Sequence, residues 1–181
     1  MTAPSPTLRV LGVPALHGPD GEPITFRTRK HFALLIYLAL EPAAHRREKL
    51  GALLWPSATT AESRHSLATG LSVLRARLGK ERIETTRDTA RLVPGSLEID
   101  LDRLARGEIH ATDTAPALAL APLLQEFVVA DAEPWDQWRD ALAAKWQPAI
   151  RDALLARIER SRRQGQHESD GTPGRRAPHP R

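Results

Sequence analysis

The chain has 181 residues, a formal net charge of +4, 41% apolar residues and no cysteine. It can therefore bury one sizeable core, but it has neither a disulfide framework nor a thiolate metal site. Its longest apolar run near the start, residues 32–40, is far short of the roughly 20 residues of a membrane span, and residues 1–11 lack the basic-then-apolar order of an export signal, so a soluble, cytoplasmic protein without membrane contact is expected.

The charge is unevenly spread. Between His45 and Arg91 there are ten Lys and Arg against five Asp and Glu, a surplus that suits a polyanion. Arginines facing solvent on ordinary helices would produce the same count, so the order of elements has to decide.

Residues 1–7 are small and polar and are expected to be disordered. Leu8-Arg9-Val10-Leu11 then opens an extended segment, Gly18-Pro19-Asp20-Gly21 supplies turn chemistry, and Ile24-Thr25-Phe26 reads as the returning strand of a β-hairpin. Thr28 can cap a helix whose Phe32, Leu35, Ile36 and Ala39 recur at helical spacing, ended by Glu41-Pro42. A shorter helix from about Arg46 to Trp55 buries Leu50, Leu53 and Leu54 and stops before Pro56.

The third helix has the clearest local signature. Thr59 and Glu62 match a capping box, Leu67, Leu71, Leu74 and Leu78 form one face, and Gly79 is placed to end it. The other face presents His65, Thr69 and Ser72, with Arg64 and Arg75 on its flanks. Gly70 costs about 1 kcal/mol in a helix interior, which calls for either a close packing contact or a close approach to a ligand surface. Residues 82–86 and 90–93, around the polar Arg87-Asp88-Thr89, read as a second hairpin.

Residues 97–103 read as a connector to an Ala/Leu-rich segment at 114–127, interrupted by Pro122. A long helix should run from near Pro134 to about Gln164, bent at Pro148, with Trp135, Trp138, Leu142 and Trp146 on one stripe. That stripe is either core, the commoner fate of tryptophans at helical spacing, or a partner surface. Residues 165–181 have the composition of a disordered basic tail.

A hairpin, three helices and a second hairpin make an α+β winged helix-turn-helix, followed by a small all-α segment. In that geometry the third helix enters the DNA major groove, its predecessor holds phosphates and the wing grips the backbone or minor groove. Side-chain chemistry then distributes roles. His65, Thr69 and Ser72 suit base edges; Arg64 and Arg75 suit phosphates or guanine; Arg46, Arg47 and Lys49 suit phosphates; Arg87 and Arg91 suit the wing contact.

Catalysis has little support. Ser63-Arg64-His65-Ser66 lies on a helix without a nucleophile elbow or third partner, His45 and Glu48 have no second histidine at ligand spacing, and no glycine-rich phosphate loop occurs. Neither an enzyme nor a metal or cofactor is expected.

Residues 8 to about 100 resemble the DNA-binding domain of the antibiotic regulatory proteins of streptomycetes. Leu8-Arg9-Val10-Leu11-Gly12, Arg29-Lys30, Leu53-Leu54-Trp55-Pro56, Ser63-Arg64-His65-Ser66-Leu67, Leu71-Ser72-Val73-Leu74-Arg75, Leu78-Gly79 and Ile99-Asp100 fall in that family's order. The resemblance implies double-stranded DNA as partner, usually at direct repeats and so as a homodimer, with Arg29 and Lys30 counted among the DNA-binding residues. It divides the chain into a winged-helix domain at 8–98 and a shortened activator-like helical domain at 99–164, containing Phe127, Trp135, Trp138 and Arg139. A second functional reading stays open, in which the winged helix and the Trp-bearing helices bind another regulator or RNA polymerase.

Overall fold

The computed structural model describes residues 5–106 and 122–170. Two small sheets frame five helices. The first sheet has strand order β2-β1-β6. Strands β1 (Thr7–Arg9) and β2 (Ala15–His17) are antiparallel with Leu8 opposite Leu16, and β6 (Glu98–Ile99) lies parallel to β1 with Ile99 opposite Leu8. The returning strand is thus at 15–17, not at 24–26 as expected. Beyond the turn the chain adds only a bridge of Pro23 to His17, in which the Gly18 amide donates to the Glu22 carbonyl at 2.7 Å and the Ile24 amide to the Leu16 carbonyl at 2.8 Å. Order also begins earlier than residue 8, since Thr7 is in β1 and the Pro6 carbonyl accepts from the Glu98 amide.

Helix α1 (Arg29–Leu40) starts where the Thr28 hydroxyl accepts from the His31 amide. Residues Ala33, Leu34, Leu35, Ile36, Tyr37 and Leu38 are all buried. A helix buried for nearly two turns on every side is a central element, and α1 is packed by α2, α3 and β5. Strand β3 (His45–Arg46) leads directly into α2 (Arg47–Leu54), and α3 (Thr60–Leu78) follows. The capping box of α3 is complete: Thr59 Oγ1 accepts from the Glu62 amide and the Glu62 carboxylate accepts from the Thr59 amide at 2.9 Å. The Thr59 hydroxyl, then its backbone N–H, hold the Glu62 carboxyl below its ordinary value. Gly79, at φ 106°, ends the helix in a conformation that strains any side chain.

Gly70 is explained by packing. A Cβ there would sit 3.2 Å from Leu34 Cδ2 and 3.3 Å from the His31 ring, so glycine lets α3 lie closely on α1.

The wing is three-stranded rather than a simple hairpin. After a 3₁₀ turn (Lys80–Arg82), β4 (Ile83–Thr85) and β5 (Thr89–Leu92) pair antiparallel, and β3 joins the far side of β5 with His45 opposite Ala90 and Arg46 opposite Thr89. Residues 97–103, expected as connector, instead contribute β6 and the start of α4 (Asp100–Ala105). Asp100 closes the first sheet: its carboxylate accepts from the amides of Val10 at 3.0 Å and Leu11 at 2.9 Å. Burial pushes its carboxyl up from the ordinary value, against the pull of those N–H donors. Asp100→Ala leaves two amides of fully buried residues without acceptors and should cost about 2 kcal/mol of stability, read as a lower urea midpoint with an unchanged slope.

Most of the Ala/Leu-rich segment lies outside the described residues. From Pro122 the chain runs back along the first sheet, the Gly12 amide donating to the Pro122 carbonyl and the Leu124 amide to the Val10 carbonyl. Helix α5 (Glu133–Asp170) contains Pro148 and continues six residues past the expected end at Gln164. Lone Gly165 weakens a helix by about 1 kcal/mol without stopping it, and the next proline is Pro173. The rest of the expected tail, 171–181, lies outside the described residues. Among the described residues no helix is long and apolar enough to cross a membrane.

The tryptophan stripe turns inward. A run of ring contacts links Phe26, Phe32, Phe127, Trp135, Trp138, Tyr37 and His45 in that order, with centroid separations of 4.8 to 6.0 Å. Trp135 is fully buried, and Trp138 Nε1 donates to Glu41 Oε1 at 3.0 Å. The helices after residue 99 therefore share one hydrophobic core with the winged helix.

Candidate nucleic-acid interface

The α3 leucines Leu67, Leu71, Leu74 and Leu78 are all buried, and this fixes the rotation of the helix. His65, Thr69 and Ser72 lie on the opposite face and are exposed, as is Arg64. At the close crossing of α2 over α3, a Cβ on Gly51 would fall 2.4 Å from Ser63 Oγ.

Two open clefts flank this face. One, of about 700 Å³, lies between α2, α3 and the wing tip and is lined by Arg46, Arg47, Arg64 and Arg87 together with Glu48, Asp88 and Thr89. The other, of about 390 Å³, lies between α3 and the base of the wing and is lined by Arg47, Ser72, Arg75, Lys80 and Thr85. Arg47 belongs to both. Six cations, from α2, α3, the 3₁₀ turn and the wing, are thus gathered around one polar helix face, against two carboxylates. Lys80 is missed by periodicity because it falls in the 3₁₀ turn between helix and wing; its place beside Gly79 is the signal that could have found it.

The surroundings are stiff. The Arg47 amide donates to the Asp88 carbonyl at 2.8 Å, tying the start of α2 to the wing tip. At the tip Thr86 Oγ1 accepts from the amides of Asp88 and Thr89, which holds Arg87 at the outer corner. Arg75 Nη1 donates to Thr85 Oγ1 at 2.9 Å, so this half-buried guanidinium braces α3 against β4.

The remaining cations differ in availability. Arg64 makes only a loose, exposed pair with Glu48 at 3.6 Å. Arg91 is hydrogen-bonded to Glu84 at 2.7 Å across the wing, and that bond holds the Glu84 carboxyl below its ordinary value. Lys49 faces the Tyr37 ring at 5.8 Å. Arg29 and Lys30 are placed outside both clefts. Arg29 donates to the carbonyls of Glu126 and Val128, and Lys30 lies 5.9 Å from the Trp55 ring with its ammonium pushed down by burial, which Asp131 partly offsets.

The α2 start carries a local cost. Arg46 is its N-cap and makes no side-chain capping bond, and two guanidinium groups sit at the positive end of the helix dipole. Arg47 Nε is buried without a hydrogen-bond partner. Local costs of this kind gather at functional or strained sites. Among the described residues no group of three or more His, Asp or Glu is placed to hold a metal ion.

No family model and no curated protein matches the chain. Its fold is similar to that of a solved structure, Mycobacterium tuberculosis EmbR in complex with a low-affinity phosphopeptide, with a TM-score of 0.61 at 19% identity over 91% of this chain. The match covers 47% of that protein, so the chain spans about half its length.

Proposed function

We propose that the chain is a transcription regulator that binds double-stranded DNA, with α3 in the major groove and the wing on the backbone. The observation that carries this reading is the exposed polar face of α3 set between two clefts whose cations come from α2, α3, the 3₁₀ turn and the wing. Phosphates demand cations at fixed separations, and base edges demand short hydroxyl, imidazole and guanidinium groups on a rod narrow enough for the groove. Arg46, Arg47, Lys80 and Arg87 take phosphates; Arg64, His65, Thr69 and Ser72 face bases. Arg75 positions the wing, and Arg91 contributes once Glu84 releases it. The similarity of fold to EmbR and the likeness of motifs to the streptomycete regulators point the same way. Pairing on direct repeats as a homodimer belongs to the same proposal.

The test is binding to a panel of duplexes, including the chain's own upstream region, titrated with salt. Affinity that falls steeply with salt is expected, and undetectable binding to every duplex at low salt would overturn the reading. Readout and positioning separate by mutation. Thr69→Ala and Arg64→Ala should change which sequence is preferred, by about 1–3 kcal/mol at one or two base pairs, in a selection from randomised duplexes. An equal loss on all sequences would remove both residues from base contact.

A further inference from the structure

A third concavity shares no lining residue with the two clefts. It is an open groove of about 340 Å³, at the lower end of the range for small-molecule pockets. Three separate stretches build it: the first hairpin and its extension through Val13, Ile24 and Phe26, the start of α1 through Arg29 and Phe32, and the turn bearing Phe127. Its aromatic wall is ordered. Phe26 and Phe32 stack at 5.4 Å and 21°, and Phe127 meets Phe32 edge-on at 5.6 Å and 84°. Val13, on its rim, is an apolar side chain left 54% exposed.

Arg29 lies on this pocket as its one cationic lining residue. Its hydrogen bonds among the described residues all use Nη1, on the carbonyls of Glu126 at 3.4 Å and Val128 at 3.2 Å. Among the described residues no carboxylate lies within ion-pair distance of it, although Glu126 is in the same lining. The guanidinium carbon is 5.9 Å from the Phe127 ring centre. Its edge formed by Nε and Nη2 thus keeps donors in the parallel geometry that a carboxylate matches. The wall itself is strained at Glu126, whose φ of 57° is a left-handed backbone that side chains rarely adopt and that gathers at ligand sites.

We propose that this pocket binds a small aryl carboxylate, its ring against Phe26, Phe32 and Phe127 and its carboxylate on the Nε and Nη2 edge of Arg29. The aromatic wall selects a planar apolar body, and the guanidinium, without a carboxylate partner among the described residues, selects an anion over an amine or an amide. The volume suits one ring system and is too small for a folded peptide segment. The proposal stands independently of DNA binding.

Calorimetry on the full chain tests it, with phenylacetate, cinnamate and 2-naphthoate as probes and their neutral amides as controls. Saturable binding of at least one acid is expected, with its amide about 10-fold weaker. Arg29→Gln should lose about 10-fold in affinity for that acid, Arg29→Lys should recover part of it, and Ile24→Trp, which fills the space, should abolish it. Thermal unfolding of the Arg29 variants, whose changed side chain is exposed, guards against a folding artefact. No saturable binding by any of the three acids, equal affinity for acid and amide, or undiminished binding to Arg29→Gln would each overturn the proposal. So would binding of an acidic phenylalanine peptide in the absence of any binding by the free acids.

Discussion

Replacing Arg46, Arg47 and Arg87 together with glutamine should weaken duplex binding about 100-fold at physiological salt and lower the salt slope by roughly 2 to 3, measured by fluorescence anisotropy across a salt series. Each phosphate contact releases close to one counterion, worth about 1 kcal/mol near 0.15 M salt, so three lost contacts account for the size of the effect. These three are chosen because all line the larger cleft and none is held by a carboxylate among the described ion pairs. Folding should be preserved. Arg46 and Arg87 are exposed, and Arg47 carries a buried nitrogen without a partner, so removing its charge relieves rather than strains the site. An unchanged slope in a folded variant would mean that the phosphates lie elsewhere.

Trp135→Ala should cost about 3–5 kcal/mol and lower the unfolding midpoint on the order of 10 °C, in a single cooperative transition. The residue is fully buried and touches both Phe127 and Trp138, and Trp138 in turn packs on Tyr37 of α1. Its removal opens a cavity at the seam between α5 and the winged helix, so the loss should reach α1 to α3 and the proposed DNA interface too. A variant in which α1 to α3 melted as before, with only α5 affected, would mean that the two parts are separate cooperative units. For the same reason a chain ending at residue 98 should fold poorly, because it lacks the Asp100 carboxylate that accepts from Val10 and Leu11 as well as the Trp135 and Phe127 rings.

How much of this was legible beforehand depended on whether the signal was local. The third helix, with its cap, its leucine face and its terminating glycine, is legible in the sequence because each feature rests on residues three or four apart. The same period put His65, Thr69 and Ser72 on the outward face. Strand composition favours Ile24-Thr25-Phe26 over Ala15-Leu16-His17, yet the returning strand is at 15–17, because pairing with β1 outweighs propensity. Strand β3 has only two residues and gains its identity from β5, more than 40 positions away. No window of sequence contains that information.

The sequence by itself determined the order of helices and wing, the rotation of α3 about its axis and the excess of cations around it, since periodicity, caps and charge are properties of neighbouring residues. Only the tertiary structure decided which cations gather and which are already engaged: Arg47 in both clefts, Arg75 on Thr85, Arg91 on Glu84, Arg29 on the carbonyls near Phe127. It likewise decided that Gly70 serves the contact with α1, and that the tryptophans make α5 part of the same core. The physical reason is that a guanidinium or an indole takes its role from what lies within about 3 to 6 Å of it, and those neighbours are brought together by chain closure over tens of residues.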